Sequence, residues 1–189
     1  IGFESLVRWN HHQLGFINPL EFIEIAEETG LIINLGRRIL SKAIKQIAQW
    51  RKLNRNFDHL YISVNLSPKQ LEDPGLVDDI LAFLDTQELP AKNLKLEITE
   101  SILIDNFDVA KSVLNQFDQK GIDIMLDDFG TGFSSLSYLH HFPIKVVKID
   151  RSFVNNMFEE AKDLAVIRSV ENLASGLDMR VIAEGVETN

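Results

Sequence analysis

Short apolar runs alternate with longer segments of helical periodicity along most of the chain. Apolar runs bounded by turn residues are typical of buried strands, and apolar residues three and four apart are typical of amphipathic helices. The pattern predicts strands over residues 1–9, 61–65, 94–99, 122–127, 144–149 and 180–183. It predicts helices over about 19–29, 35–53, 75–86, 107–119, 134–139 and 162–175.

The ends of the predicted helices carry the expected boundary residues. Asn18 can cap the first helix, and Pro19 suits its first position because proline lacks an N–H that would need a partner. Gly30, Gly121 and Gly176 follow helical segments, where glycine commonly ends a helix. These signals support the helical boundaries independently of the apolar spacing.

Strands that alternate with helices indicate parallel βαβ units, and a doubly wound sheet and a barrel both fit this alternation. Polar residues at the strand ends favour the barrel, because a (β/α)8 barrel gathers all its strand ends around one mouth. An open sheet gathers only those beside its switch point. The strand-end residues are Asn65, Glu97, Glu100, Asp127, Asp128, Lys148, Asp150, Glu184 and Glu187.

Composition narrows the classes of function. The chain of 189 residues carries 19 Lys and Arg against 28 Asp and Glu, and its formal net charge is −9. That balance argues against a nucleic acid polymer as a partner, since such binding depends on a basic surface. The chain has no Cys, which excludes a zinc–thiolate site and suits a cytoplasmic location. No run of about eighteen apolar residues is present.

The acid pair Asp127-Asp128 ends a predicted strand and precedes two glycines. Carboxylates are preferred ligands of hard cations such as Mg²⁺, but two solvated turn acids would fit the same pattern. Glu97 alone could be a surface acid, and Lys148 alone a lysine that reaches from a strand end to water. Acids crowded around one mouth repel one another and need cations, which favours paired metal ions and a phosphoester substrate.

Six short motifs recur near the predicted strand ends: ESLVRW at 4–9, SVNLS at 63–67, EITE at 97–100, DDFGTG at 127–132, KID at 148–150 and AEGVE at 183–187. In their residues, order and spacing they resemble the EAL family of cyclic di-GMP phosphodiesterases. The resemblance covers essentially the whole chain. The resemblance implies a (β/α)8 TIM-like barrel of the EAL type.

The resemblance also implies roles for individual residues. The metal ligands would be Glu4, Asn65, Glu97, Asp127 and Asp128, with Asp127 bridging two ions. Lys148 would hold or polarise the attacking water. Glu184 would act near that water, and whether it serves as the general base is left open. Arg8 and Asp150 would bind substrate. Site support would come from Glu100, which would order the loop after the acid pair, and from Thr131 and Glu187.

The implied reaction is hydrolysis of one phosphodiester bond of cyclic di-GMP to linear pGpG. Two Mg²⁺ or Mn²⁺ ions would serve as cofactors, with Ca²⁺ as an inhibitor. An inactive receptor for cyclic di-GMP and a protein-interaction module are the alternatives. We also expect a homodimer, and regulatory domains such as GGDEF or sensor domains in the full-length protein. A membrane tether outside the chain is left open.

Several features depart from the family pattern. Ser5 replaces the central Ala of the signature, and we expect little effect because serine is also small. The family's first hairpin strand, its last strand and an accompanying Gln have no counterpart in residues 1–189. We therefore expect a single, partial EAL domain that lacks its first and last strands, is poorly active in isolation and is prone to association.

Overall fold

A computed structural model describes residues 1–130, 139–158 and 160–186. The chain divides into two units. The first contains Ile1–Leu96 and Lys120–Ile122, and the second contains Glu97–Gln119 and Asp123–Asn189. Strand residues 94–99 belong in part to each unit.

The described strands form a six-stranded sheet and a two-stranded sheet. Their bounds are β1 Gly2–Ser5, β2 Trp9–His11, β3 Gly15–Ile17, β4 Tyr61–Asn65, β5 Leu94–Thr99, β6 Asp123–Phe129, β7 Ile144–Ile149 and β8 Arg180–Ala183. The larger sheet has the strand order β1-β4-β5-β6-β7-β8, and the β1–β4, β6–β7 and β7–β8 pairs are parallel. All six predicted segments overlap a strand of this sheet, and β6 extends two residues beyond the predicted segment 122–127.

The described helices connect these strands. They are α1 Pro19–Glu28, α2 Leu31–Leu53, α3 Pro68–Leu71, α4 Leu76–Thr86, α5 Glu100–Asp105, α6 Phe107–Gln119, α7 Arg151–Asn156 and α8 Ala161–Gly176. Helix α2 begins four residues before its predicted start, because Gly30 ends α1 with a left-handed φ of +74° and the next helix follows at once. Most of the helix predicted near 134–139 lies outside the described residues.

The core of the first unit is built on one face of α2. Leu40, Ile44 and Ile47 lie on this face at helical spacing and are almost fully buried. Ile62 and Val64 of β4 are buried as well, one on each side of Ser63. Burial of one such aliphatic side chain contributes about 1.5–3 kcal/mol to the free energy of folding.

The antiparallel hairpin of β2 and β3 differs from the prediction, which was one strand over 1–9. Polar turn chemistry shapes this segment. His11 Nδ1 accepts hydrogen bonds from the main-chain N–H groups of Gln13 and Leu14, at 3.2 and 3.3 Å. Gly15 then takes a φ of +72°, which glycine adopts without the steric cost of a side chain. Apolar spacing does not encode such a side-chain cap.

The core of the second unit is centred on β6. Ile124, Met125 and Leu126 are consecutive and all nearly fully buried, so both faces of the strand are covered. Such coverage is typical of parallel strands in α/β proteins. It explains why this segment reads as a continuous apolar run that ends at the acid pair.

Candidate active site

A β-bulge shapes the acid pair at the end of β6. Leu126 lies opposite Val147 and Phe129 lies opposite Ile149, so three steps along β6 match two steps along β7. The extra residue falls in the acid pair, and Asp128 takes a φ of +53°. Consecutive strand residues ordinarily point to opposite faces, and a bulge can re-aim a side chain. The bulge explains how the carboxylates of the neighbouring residues Asp127 and Asp128 can both belong to one cluster.

The cluster that the bulge creates includes Glu184. Oxygen atoms of Asp127, Asp128 and Glu184 all lie within 4.8 Å of one another. Glu184 directly follows β8, and its main-chain N–H donates to the carbonyl oxygen of Ile149 at 3.1 Å. That bond continues the β7–β8 pairing by one residue and holds Glu184 at the end of the sheet.

Lys148 of β7 lies among three carboxylates. Its Nζ is 2.7 Å from Glu97 Oε2, 3.0 Å from Asp127 Oδ1 and 2.7 Å from Glu184 Oε1. Lys148 is only 5% exposed and Glu97 only 1%. An ammonium group has three N–H donors, so this arrangement can direct one donor to each carboxylate. We call Lys148, Glu97, Asp127 and Glu184 the lysine cage.

The lysine cage keeps Lys148 protonated. Burial alone disfavours the ammonium, but hydrogen bonds to Glu184, Glu97 and Asp127 outweigh it and hold the pKa of Lys148 well above its ordinary value. Lys148 therefore acts as a cation and not as a proton acceptor. It can orient carboxylates, donate hydrogen bonds and stabilise developing negative charge.

The cluster carries more negative than positive charge. Partial burial raises the pKa of Asp128, and the negative charges of Asp127, Asp150 and Glu184 raise it further, while Lys148 acts in the opposite sense. Carboxylate oxygens prefer hard divalent ions such as Mg²⁺ and Mn²⁺, and such an ion would offset the repulsion. The donor set of Asp127, Asp128 and Glu184 thus fits a divalent metal.

The raised pKa of Asp128 predicts the effect of Asp128→Asn in EDTA. The folded chain binds this proton more tightly than the unfolded chain, so stability falls as the pH rises through the folded pKa. We expect Asp128→Asn to raise the melting temperature at pH 7, with a smaller difference in acid, where Asp128 is protonated. Thermal melts across pH measure this, and a lower melting temperature at pH 7 would contradict it.

Glu100 contacts the chain that follows the acid pair. Its Oε1 accepts a hydrogen bond from the Gly130 N–H at 2.8 Å. Gly130 has a φ of +98°, and a Cβ there would lie 3.0 Å from the ring of Phe153. Both features require glycine at this position. The contact has the form that the predicted loop-ordering role of Glu100 requires, and the role itself stays a prediction.

Gly130→Ala is expected to lower the free energy of unfolding by about 1–3 kcal/mol, because it forces an unfavourable φ and crowds Phe153. Urea titration measures the change. Gly176→Ala is the matched control, since a Cβ there meets nothing within 4 Å and alanine favours the helix. Equal stability of the two variants would show that the conformation of Gly130 is not required.

The first unit holds three of the predicted site residues. Asn65 Nδ2 donates to Glu4 Oε1 at 2.9 Å, so the structure brings these two side chains together at the ends of β1 and β4. Arg8 is exposed and donates to the carbonyl oxygen of Val7. The ligand roles of Glu4 and Asn65 and the substrate role of Arg8 stay predictions.

Asp150 caps helix α7, which was not among the predicted helices. Hydrogen bonds from the Ser152 hydroxyl and N–H hold the pKa of Asp150 below its ordinary value. The signal was present in the sequence, since Asp is one of the residues preferred as a helix N-cap. Its substrate-binding role stays a prediction. Thr131 and Glu187, predicted to support the site, lie outside the described residues.

Among the residues that the structure describes, no helix combines the length and the apolar character needed to cross a bilayer. The predicted cytoplasmic location stays a prediction.

Comparison with known proteins shows the family to which this chain belongs. The EAL domain family matches residues 1–189. A Caulobacter vibrioides protein named as an uncharacterized signaling protein is 46% identical over 99% of the chain, which covers 22% of that protein. The cyclic di-GMP phosphodiesterase PdeR of Escherichia coli K12 is 41% identical over 98% of the chain, which covers 28% of PdeR.

A solved structure supports the same family and fold. The PaMucR phosphodiesterase in complex with c-di-GMP is 39% identical and superposes with a TM-score of 0.90, over 98% of this chain and 74% of that one. This chain belongs to the EAL domain family. The predicted EAL-type α/β fold is thereby confirmed. The chain spans about a quarter of the length of the two curated relatives described above.

Proposed function

We propose that this chain is the catalytic domain of a cyclic di-GMP phosphodiesterase that hydrolyses one phosphodiester bond to give linear pGpG. The observation that carries the proposal is the lysine cage, in which a buried ammonium contacts Glu97, Asp127 and Glu184 within 3.0 Å. A domain that only mediates protein contact has no use for buried charges, which are costly to maintain. The phosphodiesterase PdeR and the PaMucR complex support the choice of substrate.

The proposal includes two divalent ions, Mg²⁺ or Mn²⁺. In the second unit, Asp127 and Asp128 would hold them, with Glu97 as a further ligand and Glu184 beside them. When bound, the ions supply Lewis-acid polarisation of the phosphate and a water molecule acidic enough to react near neutral pH. The resemblance adds Glu4 and Asn65 to the ligands.

The side chains of this chain would perform the remaining steps. The Lys148 ammonium donates to the attacking water or to a phosphate oxygen and stabilises the negative charge that develops there. The Glu184 carboxylate accepts a proton from that water as the water oxygen bonds to phosphorus. One phosphorus–oxygen bond of the ring then breaks, and the leaving oxygen takes up a proton to become a free hydroxyl of linear pGpG. Arg8 and Asp150 orient the substrate from outside the cage.

One assay separates this function from its alternatives. The full-length protein is incubated with labelled cyclic di-GMP and Mg²⁺, and both pGpG formation and retained ligand are measured. Formation of pGpG supports the phosphodiesterase. Retained but uncleaved ligand would instead identify a receptor, and the absence of both would leave a protein-interaction module.

Replacing Mg²⁺ with Ca²⁺ is expected to abolish most of the turnover while the ion still binds. Ca²⁺ takes more ligands in a looser geometry than Mg²⁺, so it positions water and phosphate less well. Initial rates with each ion, and with Ca²⁺ added to the Mg²⁺ enzyme, test this. Equal rates with the two ions would contradict the proposed mechanism.

The whole protein is proposed to be larger than the chain. Because the curated relatives are about four times as long, we propose attached regulatory domains such as GGDEF or sensor domains. A homodimer is also part of the proposal, and sedimentation analysis of the full-length protein tests it.

A further inference from the structure

Two of the carboxylates that fit a metal ion are also the carboxylates that contact Lys148. Asp127 and Glu184 belong both to the set whose oxygens lie within 4.8 Å of one another and to the lysine cage. Asp127 Oδ1 additionally accepts the Asp128 N–H at 3.0 Å. An ion can therefore take that oxygen only by displacing one of its two donors.

The ammonium and a divalent ion in this cluster would also repel each other. Two like charges a few ångströms apart repel each other strongly at the effective dielectric of a partly buried site. Lys148 is 5% exposed, so water screens this repulsion poorly. The ammonium must then either weaken ion binding or move away from Asp127 and Glu184.

We propose that Lys148 is an internal counter-ion that competes with divalent ions for Asp127 and Glu184, so that metal loading is coupled to the release of its ammonium from the cage. Without metal, the ammonium neutralises part of the acid cluster and keeps the fold stable. With metal, it is freed to donate to water or phosphate. This inference rests on the metal site of the proposed function.

Neutral substitutions at Lys148 test the competition. We expect Lys148→Met and Lys148→Gln to bind Mn²⁺ at least about tenfold more tightly than the unaltered chain, because the competing charge is gone. Lys148→Arg keeps the charge and is expected to stay close to the unaltered affinity. Mn²⁺ titration followed by electron paramagnetic resonance, without nucleotide, gives these affinities.

Lys95 provides the matched control. It is a buried strand lysine with the same 5% exposure, and its Nζ lies 4.4 Å from the centre of the Tyr61 ring in the first unit. Lys95→Met therefore removes a buried lysine charge outside the lysine cage. We expect it to leave the Mn²⁺ affinity unchanged.

Thermal unfolding gives a second readout that does not depend on activity. In EDTA, Lys148→Met is expected to melt several degrees lower, because it leaves buried carboxylates without their counter-ion. Added Mg²⁺ is then expected to raise its melting temperature by more than it raises that of the unaltered chain. If Lys148→Met does not fold in EDTA, Lys148→Gln, which keeps two N–H donors, is measured instead.

Unchanged or weaker Mn²⁺ binding in both neutral variants would overturn the proposal, since it would show that Lys148 organises the ligands and does not compete for them. The proposal would also be overturned if Mg²⁺ raised the melting temperature of Lys148→Met by no more than it raises that of the unaltered chain. Failure of this inference can be distinguished from failure of the proposed phosphodiesterase function, because the metal titrations contain no nucleotide and do not depend on turnover. A domain that binds metal and cyclic di-GMP without cleaving it would still show the competition.

Discussion

Glu184→Gln is expected to lower kcat for cyclic di-GMP hydrolysis by at least about a hundredfold, the usual contribution of one acid–base group. Glutamine keeps the shape of the side chain but cannot accept a proton from the attacking water. The main-chain bond from Glu184 N–H to Ile149 is unaffected, so the residue stays at the end of β8. The affinity for cyclic di-GMP is expected to change much less than kcat.

Steady-state kinetics with pGpG detection, combined with binding measured in Ca²⁺, separate kcat from ligand affinity. Glu171→Gln is the control, because Glu171 is an exposed acid on α8 and the substitution makes the same change in charge. Full activity in Glu184→Gln would remove Glu184 from the mechanism. A parallel loss of affinity and kcat would instead make it a ligand or structural residue.

Asp127→Asn is expected to reduce both metal binding and turnover, and by more than Glu184→Gln reduces turnover. The substitution removes a negative charge that serves the candidate metal cluster and the lysine cage together. Changing even a residue that only supports metal ligands typically costs about 10–100-fold in affinity or activity, so a direct ligand should cost at least as much. We expect little pGpG even at high Mg²⁺.

Asp123→Asn is the matched control for this substitution. Asp123 lies on the same strand, and its Oδ2 pairs with Arg180 Nη2 at 3.2 Å where both side chains are partly exposed. Surface pairs of this kind contribute only about 0–1 kcal/mol, so the control should fold and turn over normally. Manganese titration and turnover of both variants give the comparison. Tight Mn²⁺ binding by Asp127→Asn would exclude Asp127 as a required ligand.

Prediction from the sequence succeeded where one local rule decides the structure. The segment 122–127 reads as a strand because Ile124, Met125 and Leu126 are apolar and buried on both faces. Gly30 marks a helix end because glycine adopts a positive φ readily. The same reasoning failed for the β2–β3 hairpin, which is shaped by hydrogen bonds to the His11 side chain.

The candidate site shows the same division. The positions of Asp127, Asp128, Lys148 and Glu184 at strand ends follow from the sequence, because apolar runs locate the strands and parallel strands end at a common edge. Their mutual geometry does not follow, since a bulge depends on how β6 pairs with β7. Nothing in the local sequence near Lys148 indicates that it contacts a residue 51 positions away.

By itself, the sequence determined the alternation of strands and helices, the membership of the EAL family and the residue types at the strand ends. Each of these depends only on local apolar spacing or on short sequence motifs. Only the tertiary structure decided that the Lys148 ammonium lies between Glu97, Asp127 and Glu184 at 2.7–3.0 Å. Electrostatic coupling depends on distance and burial, and strand pairing brings these residues together from distant parts of the chain.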